Sequence, residues 1–363
     1  MGLSIGIVGL PNVGKSTLFN ALMGKAQAAA SNFPFCTIEP NVGTVPVPDS
    51  RLDVLAKLEN SEKSVPTAVE FVDIAGLVKG ASEGQGLGNQ FLGHVRECDA
   101  IIEVVRLFND TNVIHVSGAV DPKEDISTIN TELLIADMQA LEKRVGRETK
   151  EAKTDIKLQP RVEFLRKIKS HIDAGQPART FAANDEEKIW LRELCLLTSK
   201  PILYVANVDE EQLKQPDLIE KLKQQVEDVF PEIIALNAKA ESELSQMCME
   251  DQDLLLKELG MDEPGLNKVI RAGYKLLNLI TFFTAGPKEA RAWTIRLGAK
   301  APQAAGVIHT DFEKGFIRAE TISYADFVQY GGWKGAGEAG KARQEGKEYI
   351  VQDGDVMLFR FNV

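Results

Sequence analysis

The sequence predicts an α/β P-loop nucleotide-binding fold that carries a helical insertion and a small C-terminal domain. Three observations carry this expectation. A short apolar run, residues 3–8, leads into Gly9-Leu10-Pro11-Asn12-Val13-Gly14-Lys15-Ser16-Thr17, and a helical pattern follows from Lys15 through Met23. Similar runs recur at 69–72, 100–105 and 201–206, each too short for a free-standing helix and rich in β-branched residues, as buried parallel strands are. Between the last two, Leu134, Met138, Leu141 and Val145 recur at steps of four, three and four, the spacing of a coiled-coil seam.

The remaining elements follow in chain order. Pro160 interrupts the helical rhythm and Leu165, Ile168 and Ile172 resume it, so an antiparallel helical hairpin is expected over 128–198. Its tip is basic, because residues 142–171 hold ten Lys/Arg against five Asp/Glu, a net of +5. Beyond residue 278, strand-like runs at 280–284, 293–297, 316–319 and 356–361 alternate with turns rich in Gly and Pro. That pattern reads as a small α+β or β-rich domain. The expected layout is a nucleotide-binding domain of 1–127 and 199–277, a helical insertion of 128–198 and a C-terminal domain of 278–363.

Composition narrows the function classes. The 363 residues are 44% hydrophobic and 26% charged, as in ordinary globular proteins, and the formal net charge is −11. That charge argues against wholesale coating of nucleic acid and against specific DNA readout, while leaving room for a local basic patch. Cys36, Cys98, Cys195 and Cys248 are scattered with no C-x-x-C pair, which suits reduced thiols and neither a disulfide frame nor a zinc site. No run approaches the roughly 20 apolar residues of a membrane helix, and Gly6 stands where a myristoylation signal needs Ser or Thr. A cytoplasmic protein without membrane attachment is expected.

Residues 9–17 match G-x-x-x-x-G-K-[ST]. In that motif the two glycines allow a tight wrap that points backbone N–H groups at phosphates, Lys15 reaches the β and γ oxygens, and Ser16 ligates magnesium. Asp73-Ile74-Ala75-Gly76 follows a strand, placing Asp73 to hold magnesium and the Gly76 N–H to sense a γ-phosphate. Thr37, within the irregular segment 32–40, is a further candidate magnesium ligand on a loop that closes over triphosphate. Leu77 occupies the position where many switch GTPases carry a water-orienting Gln, so hydrolysis needs another group. His94 and Gln85 are candidates, with a potassium ion or a partner-supplied group as others, and a plain surface histidine is an equal reading of His94.

Guanine-specific members of this class carry N-K-x-D after a later strand. Here the segment is Asn207-Val208-Asp209-Glu210: the lysine stem is lost and the fourth carboxylate is one methylene longer. A carboxylate aimed at adenine N1 faces a lone pair, a buried mismatch of about 1–3 kcal/mol, so displacing it favours ATP. Asn207 is expected to accept from the adenine amine, while Asp209 keeps guanine open on a shifted loop. Asn237-Ala238-Lys239 reads as a last base loop acting through backbone N–H groups.

Together these residues resemble the YchF family of Obg-like ATPases, a branch of the translation-factor-related P-loop proteins. Residues 9–17, 32–41, 73–78 and 207–210 carry the resemblance, and Phe312-Glu313-Lys314-Gly315-Phe316-Ile317-Arg318-Ala319-Glu320 resembles that family's C-terminal TGS domain. The resemblance implies a G domain with a coiled-coil hairpin and a β-grasp TGS domain. It also implies ATP hydrolysis, ribosome association, and a link to translation and stress responses. Nucleotide contacts would fall on Asn12, Val13, Gly14, Lys15, Ser16, Thr17 and Val208, with Asn207, Glu210 and Ala238 from the base-side reading. Magnesium would fall on Ser16 and Thr37 with Asp73, and His94 matches the proposed catalytic histidine. Asn237 departs from the usual Ser before Ala-Lys. The expected partners are ATP, with GTP second, and a ribosome or structured RNA met by the basic hairpin and the TGS domain. An Obg-type GTPase or a non-catalytic nucleotide-gated scaffold are the alternatives, and a small-molecule kinase ranks last for want of an acceptor site.

Overall fold

The structure, a computed structural model, describes residues 3–30, 38–39, 41–74, 76, 87–110, 113, 120–215, 217–226, 232–247, 249–258 and 260–362. The chain opens with the fully buried strand β1 (Ser4–Val8), then α1 (Lys15–Ala30), β2 (Ile38–Glu39) and β3 (Val42–Pro46). There follow α2 (Ser50–Leu58), β4 (Ser64–Val65), β5 (Ala68–Asp73), α3 (Leu87–Glu97) and β6 (Ala100–Arg106). Helices α4 (Pro122–Glu151), α5 (Gln159–Asp173) and α6 (Asp185–Leu194) precede β7 (Ile202–Asn207). Next come α7 (Glu210–Leu213), α8 (Asp217–Gln225), β8 (Glu232–Leu236), α9 (Ala238–Leu244), α10 (Met249–Glu258) and α11 (Gly265–Leu276). The remainder is β9 (Leu279–Ala285), β10 (Ala290–Arg296), α12 (Ala301–Ile308), α13 (Thr310–Lys314), β11 (Phe316–Ser323), α14 (Tyr324–Gln329), α15 (Trp333–Glu338), β12 (Arg343–Glu345) and β13 (Asp355–Phe361).

One sheet runs β2-β3-β5-β1-β6-β7-β8, with β5, β1, β6, β7 and β8 parallel. Strands β1, β6 and β7 are buried along their whole length, which is why they read as continuous apolar runs and not as alternating ones. The second sheet runs β12-β11-β13-β9-β10-β4. Its hairpin β9–β10, crossing helix α12, pair β11–β12 and returning strand β13 parallel to β9 make the β-grasp arrangement.

The chain divides into two compact units, one of residues 1–28, 37–43 and 70–269, the other of 29–36, 44–69 and 270–363. Sequence alone places 44–69 with the nucleotide-binding strands, but here they join the β-grasp unit. Leu52 and Leu55 of α2 are buried in one cluster with Phe283, Ile322, Phe327 and Val356, and β4 pairs in parallel with β10. Arg51 reinforces the join: its guanidinium binds Asp353 at 2.7 Å and Asp49 at 2.7 Å, and Asp353 accepts from Thr281 N at 2.9 Å.

Within the first unit the expected helical pair forms and gains a third member. Leu141, Phe164, Leu165, Ile168 and Ile172 are buried together, with Leu134, Met138 and Val145 beside them, and Trp190, Leu191 and Leu194 of α6 complete the cluster. Phe164 and Trp190 lie 5.6 Å apart between ring centres. Asp121 caps α4 with Pro122 in its first turn, while Pro160 falls in the first turn of α5, where its missing N–H costs nothing. Among the described residues no helix is long and apolar enough to cross a membrane.

Candidate nucleotide site

The parallel strands β5, β1, β6, β7 and β8 all end on the same side of their sheet, and the order reverses at β1, flanked by β5 and β6. Open α/β sheets take ligands in the crevice outside such strand ends, at the point of reversal. The loop after β1 carries Asn12 to Thr17, β5 ends at Asp73, β7 leads into Asn207, Val208 and Glu210, and Ala238 follows β8. Thr37, Leu77 and Gln85 lie outside the described residues.

The first cluster surrounds Lys15. Its side chain is 7% exposed, and Nζ donates to the Leu10 carbonyl at 2.7 Å. Burial pushes its pKa down to about 8, opposed by the Asp73 carboxylate. Ser16 Oγ donates to Asp73 Oδ2 at 3.1 Å, whereas Asp73 Oδ1 is buried with no hydrogen-bond partner. Burial raises the Asp73 pKa, and the Ser16 hydrogen bond and Lys15 charge work against that rise. Gly76 comes so near that a Cβ there would lie 3.1 Å from Lys15 Nζ and 3.3 Å from Pro11, a tight fit that its neighbours would have to shift to admit. A hydroxyl beside a carboxylate with one unmet oxygen is a hard donor set, the kind that suits a magnesium ion sharing its remaining ligands with phosphate and water.

The second cluster joins three loops. Asn207 is 5% exposed, donates through Nδ2 to the Val13 carbonyl at 2.9 Å, and accepts through Oδ1 from Ala238 N at 3.0 Å. Gly14 answers to this contact: its φ is +102°, and a Cβ there would lie 2.2 Å from Asn207 Nδ2. Asn207 therefore ties the phosphate loop to the loop after β8. One of the two lone pairs of its amide oxygen is used in this internal bond, leaving the other for a base amine.

The last base loop makes internal bonds as well. Asn237 caps α9 by accepting from Lys239 N at 3.1 Å and Ala240 N at 3.0 Å. With Ala238 N on Asn207, two of the N–H groups of the expected base loop, those of Ala238 and Lys239, have protein partners. Asn and Ser are both strong helix caps, so Asn237 can fill this place without loss of the cap.

Asp209 also has an internal task. Its side chain accepts from Gln212 N at 2.9 Å, and Gln212 Oε1 accepts from Asp209 N at 3.1 Å, forming a capping box on α7. Val208 is 1% exposed and donates its N–H to Leu236 O at 2.9 Å. Glu210 is exposed in the first turn of α7. The carboxylate that reads guanine in N-K-x-D proteins is thus moved onto a helix, and the nearer one is engaged in capping.

His94 lies on the exposed face of α3, and its ring makes no hydrogen bond or ion pair among the described residues. Two residues that no motif singles out brace the loops after β6 and β7: Arg106, ending β6, and Gln212, in α7. The only signal for Arg106 was a charge closing an apolar run, and for Gln212 its place three residues after a capping Asp.

Comparison with known proteins fits this geometry. The family model described as 50S ribosome-binding GTPase matches residues 4–145. The YchF GTPase C-terminal model, described as a protein of unknown function, matches residues 279–362. A Bacillus subtilis (strain 168) protein, the ribosome-binding ATPase YchF, is 54% identical, with 100% of both chains covered. The chain belongs to the YchF family. The ribosome-binding ATPase YchF of Escherichia coli O157:H7 is likewise 54% identical over 100% of both chains. The solved structure of the Schizosaccharomyces pombe YchF GTPase superposes with a TM-score of 0.89 at 39% identity, covering 99% of this chain and 98% of that one. A GTP-binding protein of Pyrococcus horikoshii OT3 shares the fold, with a TM-score of 0.59 at 20% identity.

Proposed function

We propose that this YchF-family chain is a magnesium-dependent ATPase that works as a switch on the ribosome. The observation that supports ATP most is the base end of the crevice, where the guanine-reading carboxylate is displaced and Asp209 caps α7. The bacterial relatives' name, ribosome-binding ATPase, agrees. The second reading, a GTPase, is favoured by the description of the Schizosaccharomyces pombe protein and of the N-terminal family model.

In the proposed reaction a water attacks the γ-phosphorus, the bond to the β-phosphate oxygen breaks, and ADP and phosphate leave. Lys15 holds the β and γ oxygens, and the loop N–H groups with the α1 N-terminus orient them. Ser16 and Asp73 would hold magnesium, with Thr37 a third candidate; when bound, the ion neutralises charge building on the phosphate oxygens. His94 is the proposed group that orients the water, brought in by movement of α3. Asn12, Val13, Gly14 and Thr17 shape the phosphate cradle, and Val208 lines the base side. A potassium ion is a further candidate in place of the absent Gln.

The proposed partner surface is the helical hairpin, with the β-grasp domain as a second contact, in a cytoplasmic setting. Its basic face is smaller than composition suggests. Arg144 and Arg161 both bind the buried Glu148, Arg161 also binds Glu193 at 2.6 Å, and Lys167 binds Glu187 at 3.2 Å. Arg147 and Lys169 have carboxylate neighbours too. Lys143, Lys150, Lys153, Lys157 and Arg166 remain exposed without ion pairs among the described residues, and these are the groups that would meet phosphates.

The test is hydrolysis of ATP and GTP with and without 70S ribosomes, against Lys15→Ala as background. ATP turnover above that background, responsive to ribosomes, is expected; turnover equal to it would leave a non-catalytic scaffold. Charge reversal at Lys150, Lys153 and Lys157 is the better probe of the hairpin than Arg144, whose reversal would set a like charge against the buried Glu148.

A further inference from the structure

We propose that Arg106 and Gln212 form a clamp that positions the base-reading end of the nucleotide site through the loop of residues 107–110. The inference rests on the reading of residues 207–210 as the segment that meets the base.

Arg106 closes β6 directly opposite Asn207 of β7 and is 2% exposed. Its Nε donates to the Phe108 carbonyl at 3.2 Å and its Nη2 to the Asp110 carbonyl at 3.2 Å. The guanidinium carbon lies 4.3 Å from the centre of the Phe108 ring. Nη1 is buried with no hydrogen-bond partner, and no carboxylate pairs with this side chain among the described residues. A guanidinium taken from water without a counter-charge is costly, so simple packing would be served better by Met or Leu. What arginine alone adds is a rigid fork of donors. Here the fork pins two carbonyls two residues apart and fixes the bend of the loop.

The other half of the clamp comes from α7. Gln212 Nε2 donates to the Leu107 carbonyl at 2.9 Å, while its Oε1 accepts from Asp209 N at 3.1 Å. The Asn207 carbonyl accepts from Leu107 N at 2.9 Å and Phe108 N at 3.2 Å. One glutamine therefore joins the loop after β6 to the loop after β7, and Asn207 carries the connection on to Val13 and Ala238. None of these bonds reaches Lys15, Ser16 or Asp73. The bonds that Arg106 and Gln212 themselves make end on residues 107–110 and 209, so their loss falls first on the base-dependent part of affinity.

The experiment compares the Kd of ATP with that of inorganic tripolyphosphate, both with magnesium, in wild type, Arg106→Met, Arg106→Lys and Gln212→Ala, with melting temperature as a fold control. Arg106→Met is expected to weaken ATP about tenfold and Gln212→Ala about threefold, with tripolyphosphate unchanged. Arg106→Lys keeps the charge without the fork and is expected not to rescue. Equal losses for ATP and tripolyphosphate, or no loss for ATP, would overturn the clamp. If Arg106→Met does not fold, the half-buried Gln212→Ala decides by the same two ligands. A wild-type protein that binds tripolyphosphate as tightly as ATP would instead remove the base-reading segment itself, a failure distinct from that of the clamp.

Discussion

At the phosphate end of the crevice, Asp73 keeps an oxygen that no described group uses; at the base end, Asn207, Asp209 and Asn237 commit their side chains to neighbouring protein groups. That oxygen is buried without a partner, and among the described residues the Leu10 carbonyl and the Asp73 carboxylate oppose the desolvation of Lys15. Asn207, by contrast, fills both ends of its amide, and Asp209 and Asn237 are helix caps. The difference teaches that affinity and selectivity come from different physics. The phosphate end is completed by opposite charge, which any polyphosphate with a cation supplies. The base end is a prebuilt frame in which Asp209 caps a helix, and in the proposed reading its shape selects.

Removing charge from the first end has the largest expected effect. Lys15→Ala should weaken ATP and tripolyphosphate alike by about 100-fold or more, since a buried charge-assisted bond to phosphate is lost. Titration of both ligands checks this, and a loss confined to ATP would erase the distinction between the ends. Asp73→Asn comes next. It keeps the shape and removes the charge, so the magnesium concentration for half-maximal hydrolysis should rise about tenfold. Nucleotide affinity measured in EDTA should stay unchanged.

At the base end the effects are smaller and fall first on the frame. Asn207→Ala leaves the Val13 carbonyl and Ala238 N–H buried without partners, a loss of about 2–4 kcal/mol that a denaturant melt would register. Asp209→Ala should cost about 1 kcal/mol as a lost cap while leaving the ratio of ATP to GTP affinity as it was. A changed ratio would mean that this carboxylate faces the base after all.

What could be read from the sequence was whatever is written contiguously. The phosphate loop needs its glycines and lysine at set spacing, and the strands β1, β6 and β7 are buried on both faces, so motif and apolar run announce themselves. The tie from Asn207 to Val13 could not be seen, because it joins positions 194 residues apart. Nor could the pairing of charges on the hairpin: Arg161 meets Glu148 and Glu193 only once three helices have packed. Residues 44–69 misled for a similar reason. Helix α2 is amphipathic in a way that any core would accept, and only its packing against Phe283, Ile322 and Phe327, with Arg51 on Asp353, tells which core it joined. Arg106 and Gln212 are ordinary letters in the sequence, and their roles arise from backbone carbonyls that no pattern encodes.

The most direct measurement is an equilibrium titration of the purified chain with labelled ATP and labelled GTP in the presence of magnesium. The account predicts ATP bound about tenfold or more tightly, from a base end that offers guanine no carboxylate. GTP bound as tightly as ATP, or more tightly, would contradict it.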